Sequence, residues 1–287
     1  MTWRRVTKTW YQTEMEIALS YTIHMQNRYT GDIGDFGKYG MLRGLCTGEK
    51  LGIIWYLVPD EQHNDDGNKT SYLDHDKEHP TKLNVKRYRN LDPELYDKLR
   101  KIVKDENRNV AAIRVNDILS TSTNVFFEEH VPRFDRKEWL QGAHDLVQSC
   151  DILFLDPDNG LQVKRMKKPS KHVFWDNLSV YSSSQSLIIY QHRQRKSLNA
   201  QIEEQTRELR EKIGNRKIYT LTFSPNPDKK PEPKPDRIYY IISSINDSRL
   251  PEKELQRFCN EWKGLFTYHF AADPTLCSPS IRAAVSH

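Results

Sequence analysis

The sequence predicts an α/β fold: a mostly parallel sheet with helices on both faces, closed by an antiparallel strand pair. Three observations carry this. Short apolar runs alternate with amphipathic helical segments, the pattern of strands joined by crossover helices. The run Gly52 to Val58 is continuously β-branched and aromatic, as expected of a strand buried on both faces. The last two strand-like runs are joined by the proline-rich SPNPDKKPEPKPD, which leaves no room for a helix, so they should pair antiparallel.

The elements follow in order. Residues 1–24 read as an N-terminal extension, with Met25 opening a domain that runs to residue 266. Asp35 to Leu45 places Phe36, Tyr39, Leu42 and Leu45 on one helical face. After the strand Gly52 to Val58, residues 59–90 form a long polar stretch, a functional loop or an ordered insertion. Asp92-Pro93-Glu94 opens a helix with a cap, a proline in the first turn and an acidic start. Val110 to Val115 reads as a second strand, Asp135 to Cys150 as a helix and Asp151 to Leu155 as a strand. Ser186 to Tyr190 is a strand, 197–213 an amphipathic helix, and Lys217 to Phe223 and Arg237 to Ile245 form the closing pair. A helix follows Pro251, and residues 267–287 lack periodicity and read as a tail.

Composition narrows the class. The 287 residues are 37% hydrophobic and 29% charged, with mean hydropathy −0.80, and six Trp, fourteen Tyr and ten Phe supply core material. The longest apolar run, LGIIWYLV, is far short of the roughly 20 residues that span a bilayer, so no membrane partner is expected. Four cysteines without a C-x-x-C pair argue against a thiolate zinc site or a disulfide framework, and no secretory signal opens the chain. A cytoplasmic location is the expectation. The net charge of +5 is too mild to mark a nucleic-acid binder, so local clustering has to decide.

In a parallel sheet, ligands bind beyond the carboxyl ends of the strands. Asp156-Pro157-Asp158-Asn159-Gly160 follows one strand directly, and Gln191-His192-Arg193 follows another. If these strands are neighbours, Asp156, Asp158, Asn159 and His192 surround one cleft. The same five residue types also suit an ordinary turn. Cations cluster at this edge: Lys164, Arg165, Lys167, Lys168 and Lys171 after the first segment, Arg193, Arg195 and Lys196 after the second. Such a rim would hold a phosphate backbone over the cleft, although a lysine-rich run is more often a solvated loop.

The run GDIGDFGKYG, Gly31 to Gly40, is not a P-loop: its spacing is wrong, Tyr39 stands where Ser or Thr is needed, and no strand precedes it. It reads either as a glycine-rich start to the first helix or as backbone that approaches a small ligand, with Lys38 or Arg28 meeting a carboxylate.

Alternating strands and helices followed by a closing antiparallel pair resemble the order of class I S-adenosylmethionine-dependent methyltransferases, which implies a Rossmann-like fold. Asp156-Pro157-Asp158-Asn159 stands where amino-methyltransferases carry D/N-P-P-Y/F. The opening from Asn27-Arg28-Tyr29 to Lys38-Tyr39 resembles the start of the adenine-specific 23S ribosomal RNA methyltransferase family. The chain is also similar to bacterial proteins that open with GDIGDFGKYG, a likeness that brings no activity with it. The methyltransferase resemblance implies direct methyl transfer to an exocyclic amine of a nucleic-acid base. Asp156 and the Pro157 carbonyl would hold the amine, with Asp158 and Asn159 completing the motif. Arg28, Tyr29, Gly31 and Lys38 would lie on the cofactor. Asp60 or Glu61 would meet its ribose or amino group, and Asp117 its adenine. The sequence departs from the pattern in two places: no G-x-G loop follows the first strand, and the motif lacks its second proline and its aromatic. Tyr29, Tyr39, Trp175 or Tyr181 would have to replace that ring.

Two other readings fit the same residues. Asp156 and Asp158, with Asp32, Asp35, Asp60 or Asp117, would bind Mg²⁺ and cleave a phosphodiester. Alternatively, the fold binds nucleic acid without catalysis.

Overall fold

The structure is a computed structural model, and it describes residues 29–59, 67, 69–73, 82–120, 122–164, 166–167, 169–181, 183–214, 216–226, 235–245 and 249–269. Of residues 82–86 it gives the helical backbone alone. The expected extension 1–24 lies outside the described residues, as do Arg28, Asp60, Glu61, Arg165 and Lys168.

A seven-stranded sheet organises the chain, in the order β2-β1-β3-β6-β8-β7-β9. Strands β1 (Leu51–Trp55), β2 (Val125–Phe127), β3 (Ile152–Asp156) and β6 (Ser186–His192) are mutually parallel. Strand β8 (Arg237–Ile242) runs antiparallel between β6 and β7 (Ile218–Phe223), so the expected closing pair is present and bonded to the parallel block through β8. A third antiparallel strand, β9 (Phe266–His269), extends the edge and carries regular structure past the boundary drawn at residue 266. A separate two-stranded ribbon, β4 (Gly160–Leu161) with β5 (His172–Val173), lies beside the end of β3.

Helices cover both faces, which is why the strands read as unbroken apolar runs. Ile53, Phe154, Ile188, Tyr239 and Ile241 point to a core shared with α1 (Ile33–Leu45), α3 (Pro93–Lys104) and α7 (Glu252–Glu261). Their alternating neighbours Ile54, Leu153, Leu155, Ile189 and Tyr240 face α5 (Lys137–Val147) and α6 (Leu198–Ile213). Helix α1 lies close over the antiparallel side because it presents glycines there. A Cβ on Gly37 would fall 2.5 Å from the Phe223 ring, and one on Gly40 2.0 Å from Trp262.

Within the polar stretch 59–90, Tyr72 and Leu73 are buried in a 3₁₀ turn (Ser71–Leu73), and helix α2 (Lys82–Leu91) follows. The expected strand Val110–Val115 is instead a helix, α4. Asn109 caps it by accepting the Ala112 amide at 2.8 Å, and a six-residue apolar window carries no period that separates strand from helix. The second strand is Val125–Phe127. Asp117 is therefore not at a strand end: it follows α4 with φ +49°, exposed, and its carbonyl accepts Lys98 Nζ at 2.7 Å.

A strand-edge cavity as candidate active site

A cavity of about 450 Å³ opens at the carboxyl ends of β1, β3 and β6, where a parallel sheet presents ligand sites. Because β8 is reversed, its first residues, Arg237 and Tyr239, reach the same edge. Helix α1 closes the other side with its first turns.

Asp32 caps α1. Its Oδ1 accepts the Asp35 amide at 2.9 Å, and its Oδ2 faces Arg237 Nη2 at 3.3 Å. The guanidinium lies against Gly34, where a Cβ would stand 1.9 Å from Arg237 Nη2, so this approach requires glycine. Burial pushes the Asp32 carboxyl up to about 6, with Arg237 opposing and Asp35 adding to the rise. One and two turns on, Asp35 and Lys38 project to the same side. Lys38 Nζ sits 2.8 Å from Asp35 Oδ1 and 2.8 Å from Asp156 Oδ2. Burial alone would lower the lysine, but the two carboxylates outweigh it and hold the ammonium well above its usual range. Burial raises Asp156, and Lys38 opposes that rise.

The loop after β3 is knitted on both sides. Asp158 pairs with the buried Lys171 at 2.6 Å, and the Asn159 amide donates to the Lys171 carbonyl at 2.9 Å. Gln191 of β6 donates to the Asn159 carbonyl at 3.1 Å and accepts the Leu161 amide at 2.8 Å. Behind it, Gln205 of α6 donates to Gln191 Oε1 at 2.9 Å. The segment Asp156 to Gly160 is thus a braced loop whose every residue has a defined place.

Of the expected residues, Tyr29, Asp32, Asp35, Lys38, Asp156, Pro157, Asp158, Asn159, Lys171 and His192 line this cavity together. Gly31 supports it: its amide donates to Asp35 Oδ2 at 3.0 Å, and its φ is +82°. Asp117 is not among the lining residues. The basic rim is thinner than its sequence suggests. Lys171 is spent on Asp158, Lys196 pairs with Glu204, and Arg193 bonds Gln201 Oε1 at 2.8 Å and the Lys196 carbonyl at 2.7 Å. Lys164, Lys167 and Arg195 remain exposed. Of the four rings weighed as replacements for the missing aromatic, Tyr29 alone lines the cavity. Tyr39 is buried in the α1 core, and Trp175 and Tyr181 pack with the α5–α6 core.

Several site residues gave no sequence signal. Tyr56, Lys69, Tyr190, Asp236, Arg237 and Tyr239 all line the cavity. Arg237 and Tyr239, with Asp236 just before them, reach the cavity through the reversal of β8, which pairs His192 with Arg237 and Tyr190 with Tyr239, and no local motif encodes that register. Tyr239, which lines the cavity, has a buried hydroxyl with no hydrogen-bond partner among the described residues. His192 is pushed down by partial desolvation and by the neighbouring Arg237.

Five carboxylates (Asp32, Asp35, Asp156, Asp158, Asp236) and four cations (Lys38, Lys69, Lys171, Arg237) line the walls, and each carboxylate faces a cation. That mixed lining suits a ligand carrying both signs of charge. No group of three His, Cys, Asp or Glu side chains arranged to hold a metal ion occurs among the described residues. No described helix is long and apolar enough to cross a membrane.

No protein-family model and no curated protein matches the sequence. Among solved structures, the crystal structure of protein LPL1258 from Legionella pneumophila str. Philadelphia 1, described under family-model DUF519, matches over 83% of this chain and 96% of that one. Its identity is 13% and its TM-score 0.43, a likeness too loose to inform function.

Proposed function

We propose that this chain transfers a methyl group from S-adenosylmethionine to an exocyclic amine of a nucleic-acid base, adenine or another. One observation carries the reading. Asp156, at the end of a central strand, lines the cavity and has Oδ2 fixed by Lys38, while Oδ1 accepts no hydrogen bond from the described residues. A carboxylate oxygen held in this way is an acceptor for an amine N–H, with the Pro157 carbonyl beside it. The sheet order supports the resemblance to class I methyltransferases, with β8 reversed between β6 and β7.

The residues fit the cofactor. The cavity is in the size range of small-molecule pockets, and a zwitterionic amino-acid group finds both carboxylates and cations on its walls. Asp32 and Asp35 would face its ammonium, Lys69 its carboxylate, and Tyr56 and Val58 its adenosine. When bound, S-adenosylmethionine supplies an electrophilic methyl group. The chain's own part is to hold the amine on Asp156, give the base a ring to lie against at Tyr29 or Tyr190, and exclude water. Orientation of this kind supplies most of the rate in a direct transfer.

Metal-dependent phosphodiester cleavage is less well supported. Hard cations need oxygen ligands, and here Lys38 and Lys171 each already hold a positive charge against one oxygen of Asp156 and Asp158.

Calorimetric titration of the purified protein with S-adenosylmethionine, with and without Mg²⁺, tests the reading. Stoichiometric micromolar binding without metal is expected, followed by transfer of labelled methyl to nucleic acid. Absent binding, with Mg²⁺ itself producing heat, overturns it in favour of the nuclease.

A further inference from the structure

A second cavity, also of about 450 Å³, adjoins the Asp156–Gly160 loop at Asn159. Asn159, Val163, Lys164, His172, His192 and Gln194 line it. Asn159 and His192 line the first cavity too, so the two spaces share a wall built from the ends of β3 and β6. Lys164 is exposed at this groove. Glu204 and Glu208 on α6 feel its charge.

The loop before α5 carries an unusual residue. Phe134 is 77% exposed, and the Arg133 guanidinium lies 5.4 Å from its ring. A single exposed phenylalanine needs no explanation. This one is mounted on a rigid base: two residues on, Arg136 packs over Phe174 at 4.5 Å and Tyr56 at 5.4 Å, and donates to the His172 carbonyl at 3.0 Å. The loop is thereby tied to β5, whose His172 lines the second cavity. An outward aromatic ring with an arginine against it, on a loop tied to a groove that carries an exposed lysine and adjoins the first cavity, has the parts of a stacking platform.

Resting on the reading above, we infer that this face binds a single strand of nucleic acid, with one nucleotide next to the target in the second cavity, its phosphate on Lys164, and a further base stacked on Phe134. A duplex does not fit the scheme, because its bases are already stacked and offer Phe134 no open face.

Fluorescence anisotropy with a labelled 12-nucleotide single strand, as DNA and as RNA, and with the matching duplex, tests this without any cofactor. The native protein should bind the single strand more tightly than the duplex. Phe134→Ala should weaken single-strand binding about tenfold, and Phe134→Trp should restore it. Lys164→Ala should flatten the salt dependence by about one phosphate contact, near 0.7 in the log–log slope. Because Phe134 is exposed, its substitution leaves the fold intact. Unchanged affinity in Phe134→Ala, or equal binding of the duplex, overturns the inference. If S-adenosylmethionine binds but Phe134 proves irrelevant, this surface alone is wrong. If Phe134-dependent binding holds while S-adenosylmethionine is refused, the surface stands and the catalytic reading falls.

Discussion

The Lys38 ammonium sits 2.8 Å from Asp156 Oδ2 and links the first described helix to the end of a central strand 118 residues away. It also sits 2.8 Å from Asp35 Oδ1, so one buried cation compensates two carboxylates. Replacing it with an apolar side chain of similar length strands both charges away from water. Lys38→Met should therefore cost about 3–5 kcal/mol, as found when one partner of a buried pair is removed. Urea unfolding of the two proteins at neutral pH measures this. A loss below about 1 kcal/mol would show that water reaches the pair freely.

Asp156→Asn is the sharper probe of chemistry. The amide keeps the shape and leaves Lys38 its bond to Asp35, so the fold should survive with little change in unfolding midpoint. What is lost is a charged acceptor for the amine. Methyl transfer should fall at least about 100-fold, in line with the removal of one preorganised electrostatic partner. Affinity for S-adenosylmethionine should stay within about threefold. Full turnover in this variant would remove Asp156 from the mechanism.

Much of this site was legible in the sequence because two of its parts are local. The carboxylates of Asp156 and Asp158 sit directly after an apolar run, and the strand-end rule places them at a cleft. Lys38 stood out within GDIGDFGKYG, whose period of three now has a physical meaning: Gly34, Gly37 and Gly40 give way to Arg237, Phe223 and Trp262, while Asp32, Asp35 and Lys38 form the polar row beside them. Arg237 and Tyr239 were not legible, because their place depends on the antiparallel register of β8, a pairing between segments about 50 residues apart. Val110–Val115 misled because apolar content without period suits either element, and its Asn109 cap was the overlooked cue.

Gly160 bears on the loop itself. Its φ is +103°, and a Cβ there would fall 2.4 Å from Gln191 Oε1, the atom that accepts the Leu161 amide. Gly160→Ala adds backbone strain and forces Gln191 from its hydrogen bonds. We expect a loss of about 2 kcal/mol or more, since alanine at positive φ is strained before any contact is counted. Activity should fall more than stability accounts for, because Asn159 hangs on the same glutamine. Thermal unfolding together with turnover well below the transition separates the two effects. Native-like turnover would mean that the loop tolerates being moved.

Asp32 makes stability depend on pH in an unusual direction. Its native carboxyl holds a proton up to about pH 6, whereas the unfolded chain releases it near the ordinary value of 3.8. Between those values the native state binds more protons than the unfolded state, so this residue makes stability fall as pH rises, levelling off above the native value. Asp32→Asn keeps a good helix cap and cannot titrate. Plotted against pH 4, 5, 6, 7 and 8, the unfolding free energies of the native protein in urea should decline relative to those of the variant, with a slope of at most about 1.4 kcal/mol per pH unit, and should run parallel to them only above about pH 7. Parallel profiles across the whole range would show that Arg237, 3.3 Å away, keeps the carboxylate ionised throughout, and that burial does not prevail at this end of α1.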